Sequence, residues 1–210
     1  MLSERRADPG LGMWDIPTEG IICRGRLTTL AWPEPSEYDS ITALRNEPRV
    51  RRWFLDDRVL GVELNRSWLA TGMKRPYEAV LSIRLTADGR FLGMIGWSDW
   101  DMERRKAWFG RLAADAHRIR EMRGHAPAES LRVILDAAVA LRDCAFERMG
   151  LDEAWTYRIV GNELAAKLHR AIGLAPVGTQ TRRRWDGSFV KTVELRMTRE
   201  QWTALREVGR

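Results

Sequence analysis

A long amphipathic helix pattern lies between two strand patterns, and this arrangement limits the possible folds more than any other feature of the chain. The strand patterns cover residues 106–113 and 153–160, and the helix opens at Pro127 and ends at Met149-Gly150. A strand, a long helix and a second strand beside the first form a βαβ crossover. We therefore expect a crevice where the strand before the helix meets the strand after it. The apolar face of the helix consists of Leu131, Ile134, Leu135, Ala138, Leu141, Cys144 and Ala145.

Shorter elements surround this crossover. Before it, the patterns predict a strand at 26–32, a helix from Ser36 that stops at 46–48, a helix at 63–71 with Leu64, Trp68 and Leu69 inward, and strands at 79–85 and 91–97. Residues 98–105 form a polar loop. After the crossover come a helix that follows Asn162, a hairpin of residues 179–184 and 189–197, and a final helical turn from Thr198. This order predicts one α/β domain with a mixed, mostly antiparallel sheet flanked by helices.

Composition excludes several classes of protein. Cys23 and Cys144 are too few for a disulfide framework and show no metal spacing, so two buried, reduced thiols are expected. Because the sequence shows no signal peptide and no apolar run of membrane-spanning length, we expect a cytoplasmic protein without membrane contact. Residues 1–20 are predicted to be a loose N-terminal arm before a domain of residues 21–210.

The charge pattern does not indicate a nucleic-acid-binding protein. The net charge is +6, but the arginines are scattered among 29 acidic residues. The densest basic cluster, residues 182–184, fits a solvated hairpin edge or an anionic-ligand site. A positive field would help to recruit a phosphorylated cofactor or substrate.

The helix at residues 162–172 carries a histidine near its end. Asn162 is the predicted N-cap, and Gly173 follows the last helical turn. His169 fits two roles. It could pack as a half-buried structural residue beside Ala165 and Ile172, or it could donate a proton in an active site.

The order of elements and several short sequence motifs resemble the GNAT superfamily of acyl-CoA-dependent N-acetyltransferases, and the RimJ/RimL-like branch in particular. These motifs are residues 44–50 with Trp53-Phe54, residues 91–96, 107–110 and 145–151, and Asn162 through Gly173-Leu174. Together they span roughly residues 25–202. The resemblance implies transfer of an acetyl group from acetyl-CoA to a primary amine by direct attack, without a metal. The amine would belong to an amino sugar, another small metabolite or a peptide N-terminus, and a homodimer is possible.

The resemblance also implies a cofactor site. The pyrophosphate loop would comprise Met122, Arg123, Gly124, His125 and Ala126, which departs from the family pattern because Glu121 is acidic and Pro127 lacks a backbone donor. The helix that follows would offer unpaired N–H groups and a partial positive charge to the diphosphate. A backbone N–H near Leu112 or Ala113 would hold the oxyanion. Asn162 would face the pantetheine arm.

Catalytic and substrate residues are predicted around the crevice. His169 occupies the position where the family commonly has a tyrosine near the cofactor sulfur, and it would stabilise the leaving thiolate. A carboxylate would take the proton of the amine, and Asp99 and Glu103 are the leading candidates, followed by Asp101 and Asp115. Asp99, Asp101 and Glu103 equally fit solvated turn residues, and Asp115, at the end of the fourth strand, is the weaker candidate. Substrate-side candidates are Arg45, Asn46, Trp97 and Trp100, with Trp108 in the same cluster, although core packing is the commoner use of tryptophan.

Two other functions fit the same residues. The chain could use another acyl donor such as aminoacyl-tRNA, which would explain the irregular loop and the basic residues Arg118 and Arg120. It could also be a binding module without catalysis. In that case replacing His169 or Asp99 would change neither binding nor turnover.

Overall fold

A single eight-stranded sheet forms the centre of the molecule. The computed structural model describes residues 20–71, 77–114, 119 and 127–208, and the predicted N-terminal arm lies almost wholly outside them. The strands are β1 (Ile21–Arg24), β2 (Thr28–Ala31), β3 (Ala79–Leu85), β4 (Phe91–Asp101), β5 (Lys106–Ala114), β6 (Glu153–Ile159), β7 (Ala175–Arg183) and β8 (Phe189–Thr198). Their order in the sheet is β1-β2-β3-β4-β5-β6-β8-β7.

The helices flank this sheet, and local signals set their ends. They are α1 (Tyr38–Asn46), α2 (Pro48–Arg51), α3 (Val62–Thr71), α4 (Pro127–Glu147), α5 (Glu163–Ala171) and α6 (Arg199–Val208), with a 3₁₀ turn (Pro35–Glu37) before α1. Pro48 separates α1 from α2 because it cannot continue a helix as an interior residue. Gly150 follows α4 with a φ of 66°, a conformation that favours glycine. None of the described helices combines the length and the apolar character that a bilayer crossing needs.

Only one pair of neighbouring strands is parallel. β5 and β6 run in the same direction, with α4 between them in the chain, whereas all the other neighbours are antiparallel. Since a parallel pair needs a crossover connection, the predicted βαβ unit is confirmed. The mixed, mostly antiparallel sheet is confirmed as well.

The core lies where α4 packs on the sheet. Val133, Ala137, Leu141 and Ala145 are buried at helical spacing, and they join the apolar face of β2, β3 and β4 in one cluster. Phe146 stacks on Trp202 of α6, with ring centroids 5.4 Å apart. Of the face predicted for α4, Ile134, Ala138, Leu141, Cys144 and Ala145 are buried, whereas Leu131 and Leu135 are only partly buried, and Val133 and Ala137 were not predicted.

A carboxylate of α4 holds the β1–β2 turn. Asp136 accepts hydrogen bonds from the backbone N–H groups of Arg26, Leu27 and Thr28 and from the Thr28 hydroxyl, at 2.7–3.0 Å. A Cβ on Gly25 would lie 2.1 Å from Asp136 Oδ2, so only glycine allows the approach. The strand predicted from residue 26 begins at residue 28 because these donors turn toward the helix.

Several element boundaries differ from the sequence-based predictions. β1 was not predicted, because four residues carry too short an alternation to be recognised. Residues 98–101 extend β4 instead of forming a loop, since they pair with β5 as far as Asp101 and Lys106. Leu64 points to solvent, with 78% of its surface exposed, whereas Leu69 is buried. The final helical turn is a ten-residue helix, α6.

Candidate active site

The parallel pair β5–β6 opens into a cleft after three residues. Cα pairing covers only Lys106 with Glu153, Ala107 with Ala154 and Trp108 with Trp155. Beyond that point the two strands separate, and residues 108–114 of one strand and 156–158 of the other line a cleft of about 1110 Å³. The separation leaves the backbone of β5 facing open space instead of a neighbouring strand. This is the crevice that the sequence predicted.

A bulge shapes the β5 wall of the cleft. Met94 pairs with Ala113 and Gly96 with Gly110, so Ile95 of β4 lies opposite two residues, Arg111 and Leu112. Arg111 has a φ of 52°, which is uncommon for a residue other than glycine. A bulge re-aims the side chains and the N–H groups around it. The segment Arg111-Leu112 is thus outside the regular pairing at the cleft wall.

Helix α5 closes one side of the cleft, and Asn162 starts it. The Asn162 side-chain oxygen accepts a hydrogen bond of 3.1 Å from the N–H of Ala165, which confirms the predicted N-cap. His169 lies on the same helix, and both residues line the cleft. The short α5 therefore aims two polar side chains at the gap between β5 and β6.

The imidazole of His169 is neutral at pH 7. Burial, together with the nearby Arg158 cation, lowers its pKa from 6.5 to about 4. Its Nδ1 atom is buried, without a hydrogen-bond partner among the described residues. A neutral imidazole still carries one N–H donor and one acceptor nitrogen. His169 can therefore donate a hydrogen bond without holding a positive charge.

The opposite side of the cleft contains charged and aromatic residues that the sequence analysis missed. Arg111 forms an ion pair with Glu78, and its guanidinium carbon lies 5.3 Å from the ring centroid of Trp68. Tyr157 of β6 faces the cleft with its ring centroid 6.2 Å from that of Trp108. Burial raises the pKa of Tyr157, so its phenol is a neutral donor or acceptor at pH 7. The alternation of β6 could have placed Tyr157 on one face with Trp155, but no local pattern distinguishes Glu78 or Arg111.

The predicted base candidates lie at the far end of β4. Asp99 is exposed, has a φ of 50° and accepts a 2.9 Å hydrogen bond from the Ser98 hydroxyl. Asp101 closes the strand, and Glu103 is exposed in the turn that follows. Among the described residues that line the cleft, Ser98 is present and these three carboxylates are not.

The predicted substrate residues divide between the cleft and the core. Trp97 and Trp100 are buried in the core, with ring centroids 6.3 Å apart, and the structure does not bring them to the cleft. The Asn46 side chain binds the backbone N–H and C=O of Leu60, at 2.7 and 2.9 Å, so its polar atoms fix a loop. Arg45 and Trp108 do line the cleft.

Part of the predicted cofactor site lies outside the described residues. This holds for Met122, Arg123, Gly124, His125 and Ala126, and for Asp115. Leu112 and Ala113, which were predicted to hold the oxyanion, line the cleft on β5. No group of three metal-ligating side chains occurs among the residues that the structure describes.

The fold and the cleft define a class of structure, the α/β fold of the GNAT acetyltransferases. Several solved structures share it. A probable acetyltransferase superposes with a TM-score of 0.68 at 22% identity, over 86% of this chain and 98% of that one. Spermidine N-acetyltransferase from Vibrio cholerae, in complex with CoA and spermine, gives 0.67 at 15% identity, over 84% and 98% of the two chains.

A nucleotide-linked sugar GNAT in its apo form gives a TM-score of 0.66 at 12% identity, over 86% of this chain and 92% of that chain. No protein-family model matches the sequence, and no curated protein matches it. At these identities the likeness establishes the fold, and it confirms the GNAT-like architecture that the sequence motifs predicted.

Proposed function

We propose that the protein is an N-acetyltransferase that moves an acetyl group from acetyl-CoA to a primary amine, and that it is of the RimJ/RimL-like kind. The observation that carries the proposal is the cleft where β5 and β6 separate, which exposes the bulged edge of β5 to α5. A thioester arm is an extended, polar chain, and an open strand edge offers it hydrogen bonds of the kind a strand would make. A solved structure of the same fold is a CoA complex.

The donor would lie across the gap between the two strands. Its acyl carbonyl would accept a hydrogen bond from the N–H of Leu112 or Ala113, and Asn162 would contact the pantetheine arm. The N-terminus of the 21-residue helix α4 would face the diphosphate, because the first N–H groups of a helix have no partner within it. Residues 122–126, which precede α4, would complete the phosphate site.

The reaction needs a neutral amine and a stabilised leaving group. The amine nitrogen attacks the thioester carbon, the C–N bond forms, the C–S bond breaks, and CoA leaves as a thiolate. The nitrogen loses one proton, and the thiolate ends with one. His169 would donate a hydrogen bond to the sulfur from its neutral imidazole. Glu78 lines the cleft and would be a candidate receiver of the amine proton, beside the earlier candidates Asp99 and Glu103.

A direct test blocks the gap with one side chain. A Cβ added at Gly110 of β5 would meet no atom within 4 Å, and Gly110 lines the cleft, so valine there would fill the space the donor needs. A Cβ at Gly178 on β7 also meets nothing, and Gly178 is not among the described lining residues. We expect acetyl-CoA to raise the melting temperature of the wild type and of Gly178→Val, but not that of Gly110→Val.

Turnover is then measured as free thiol released with a panel of amines. The proposal fails if Gly110→Val keeps both the stabilisation and the thiol release of the wild type. It fails as well if acetyl-CoA stabilises none of the three proteins. Salt-dependent binding of aminoacyl-tRNA in the absence of any acetyl-CoA effect would favour the other donor.

A further inference from the structure

Arg45 is a buried cation that faces the cleft with part of its hydrogen-bonding capacity unused. Only 7% of the residue is exposed, and it lines the cleft from α1. Its Nη2 donates to the backbone carbonyl of Asp56, and its guanidinium carbon lies 3.9 Å from the centroid of the Phe54 ring. Its Nη1 is buried and has no hydrogen-bond partner in the part of the chain that the structure describes. A buried donor left unpaired is costly, so it calls for an acceptor.

Two neighbouring arginines already have carboxylate partners. Arg111 pairs with Glu78, and Arg182, whose guanidinium carbon lies 4.9 Å from the ring centroid of Tyr157, pairs with Glu194. Among the described residues, no carboxylate lies within ion-pair distance of Arg45. Burial lowers the pKa of Arg45; the nearby Asp56 carboxylate opposes this shift, and the positive charge of Arg111 adds to it. The Arg45 guanidinium is therefore a cation at the cleft wall without an ion-pair partner among the described residues.

The ring beneath Arg45 does not take the place of such a partner. A cation over an aromatic face gains on the order of 1 kcal/mol, whereas a buried charge needs an opposite charge and hydrogen bonds. The Asp56 carboxylate is directed to Arg58, which binds it through two bonds of 2.8 and 2.9 Å. Arg45 is thus held in place by Phe54 and the Asp56 backbone while its charge stays available.

We propose that the acceptor amine carries a carboxylate, and that Arg45 binds this carboxylate in the cleft. The inference rests on the proposed acetyl transfer. A carboxylate brings a charge of −1 and two acceptor oxygens to the Arg45 guanidinium, whereas a phosphate with two charges would also meet the Glu78 and Asp56 carboxylates of the cleft lining. A polyamine would place further positive charge beside Arg45, so this site differs in kind from one built for spermidine. Tyr157 lines the same cleft, and its phenol could donate a second hydrogen bond to this group.

The experiment compares acceptor amines that carry a carboxylate with acceptor amines that lack one. The wild type is assayed with the standard amino acids, with their C-terminal amides, and with spermidine, glucosamine and phosphoethanolamine. We expect the best free acid to exceed its amide by about 10- to 100-fold in kcat/KM, the range that a hydrogen bond to a charged group produces. Arg45→Met should abolish this preference, and Arg45→Lys should restore part of it. Arg66→Met, which removes an exposed arginine of α3 outside the cleft, is the charge-matched control.

Each outcome decides one of the two proposals. Equal turnover of acids and amides, or a preference for spermidine or glucosamine, overturns the carboxylate site while acetyl transfer stands. A preference for phosphoethanolamine overturns it in favour of phosphate. Acetyl-CoA binding with no turnover of any amino acid also overturns it. Absence of acetyl-CoA binding refutes the acetyl transfer itself, and the wild-type comparison remains decisive even if Arg45→Met does not fold.

Discussion

Removing the Asp136 carboxylate should destabilise the protein strongly, because it joins α4 to the first turn of the sheet. Asp136→Ala deletes four hydrogen bonds, to three backbone N–H groups and one hydroxyl. Each of these hydrogen bonds is partly exposed, so its loss should lower the free energy of unfolding by about 1 kcal/mol, less than the loss of a fully buried bond to a charged group. Alanine recovers about 0.5 kcal/mol through its helix propensity. We expect a net loss of about 3 to 4 kcal/mol.

This loss can be measured by thermal and chemical unfolding. For a chain of this length it corresponds to a fall of roughly 10 °C in melting temperature. Thr28→Val removes only the hydroxyl bond and should cost about 1 kcal/mol. Arg132→Ala changes an exposed residue of the same helix and should be close to neutral.

A double-mutant cycle tests the geometry. Gly25→Ala places a Cβ 2.1 Å from Asp136 Oδ2, so it should displace the carboxylate from the same donors. The two substitutions together should then cost less than the sum of their separate effects. If Asp136→Ala changes stability no more than Arg132→Ala does, or if the cycle is additive, the hydrogen-bonded turn does not contribute as described.

Three further predictions concern pH and capping. His169 has a pKa of about 4 in the folded state against 6.5 normally, so its contribution to the free energy of unfolding should decline as the pH falls from 6.5 toward 4, and kcat should show no titration near 6.5. A kinetic pKa near 6.5 that disappears in His169→Gln would contradict this burial. Burial by itself would raise the pKa of Glu37, but hydrogen bonds from Arg84, the Glu34 backbone and Ser82 hold it below 4.5. Urea titrations should therefore show that the free energy of unfolding decreases as the pH falls below about 4.5. This decrease should be less steep in Glu37→Gln. An equally steep loss in that variant would exclude Glu37 as the cause. Asn162→Ala should cost about 1 kcal/mol of stability, and Asn162→Asp almost none, because aspartate also caps a helix. A higher KM for acetyl-CoA in the stable variant Asn162→Asp would therefore identify a ligand contact separate from the cap. An unchanged KM would argue against that contact.

Local patterns were sufficient to predict most of the elements. Glycine, proline and capping residues act on the few residues beside them, so the end of α1 before Pro48 and the start of α5 at Asn162 were readable in the sequence. The buried face of α4 was readable because helical periodicity is itself local. β1 and the outer end of β4 were missed, since the partner strand stabilises these segments and their own residues show no clear pattern.

The candidate site was predicted less completely. The sequence placed His169, Leu112, Ala113 and Asn162 near one crevice, and the structure brings all four to its walls. It gave no reason to choose Glu78 or Tyr157, because each becomes a cleft residue only through strand neighbours far away in the chain. Trp97 and Trp100 show the opposite case, since a tryptophan suits a binding wall and a core equally well and only packing distinguishes the two.

The sequence by itself determined the order of most strands and helices, the βαβ crossover and the histidine of α5, because periodicity and chain-breaking residues act over short distances. Only the tertiary structure decided that β5 and β6 separate after three pairs, that a bulge lies at Arg111, and that the charge of Arg45 has no carboxylate partner among the described residues. It also decided that His169 is neutral at pH 7. These properties depend on burial and on contacts between residues distant in sequence, and both the dielectric surroundings and the ion pairs of a side chain exist only once the chain has folded.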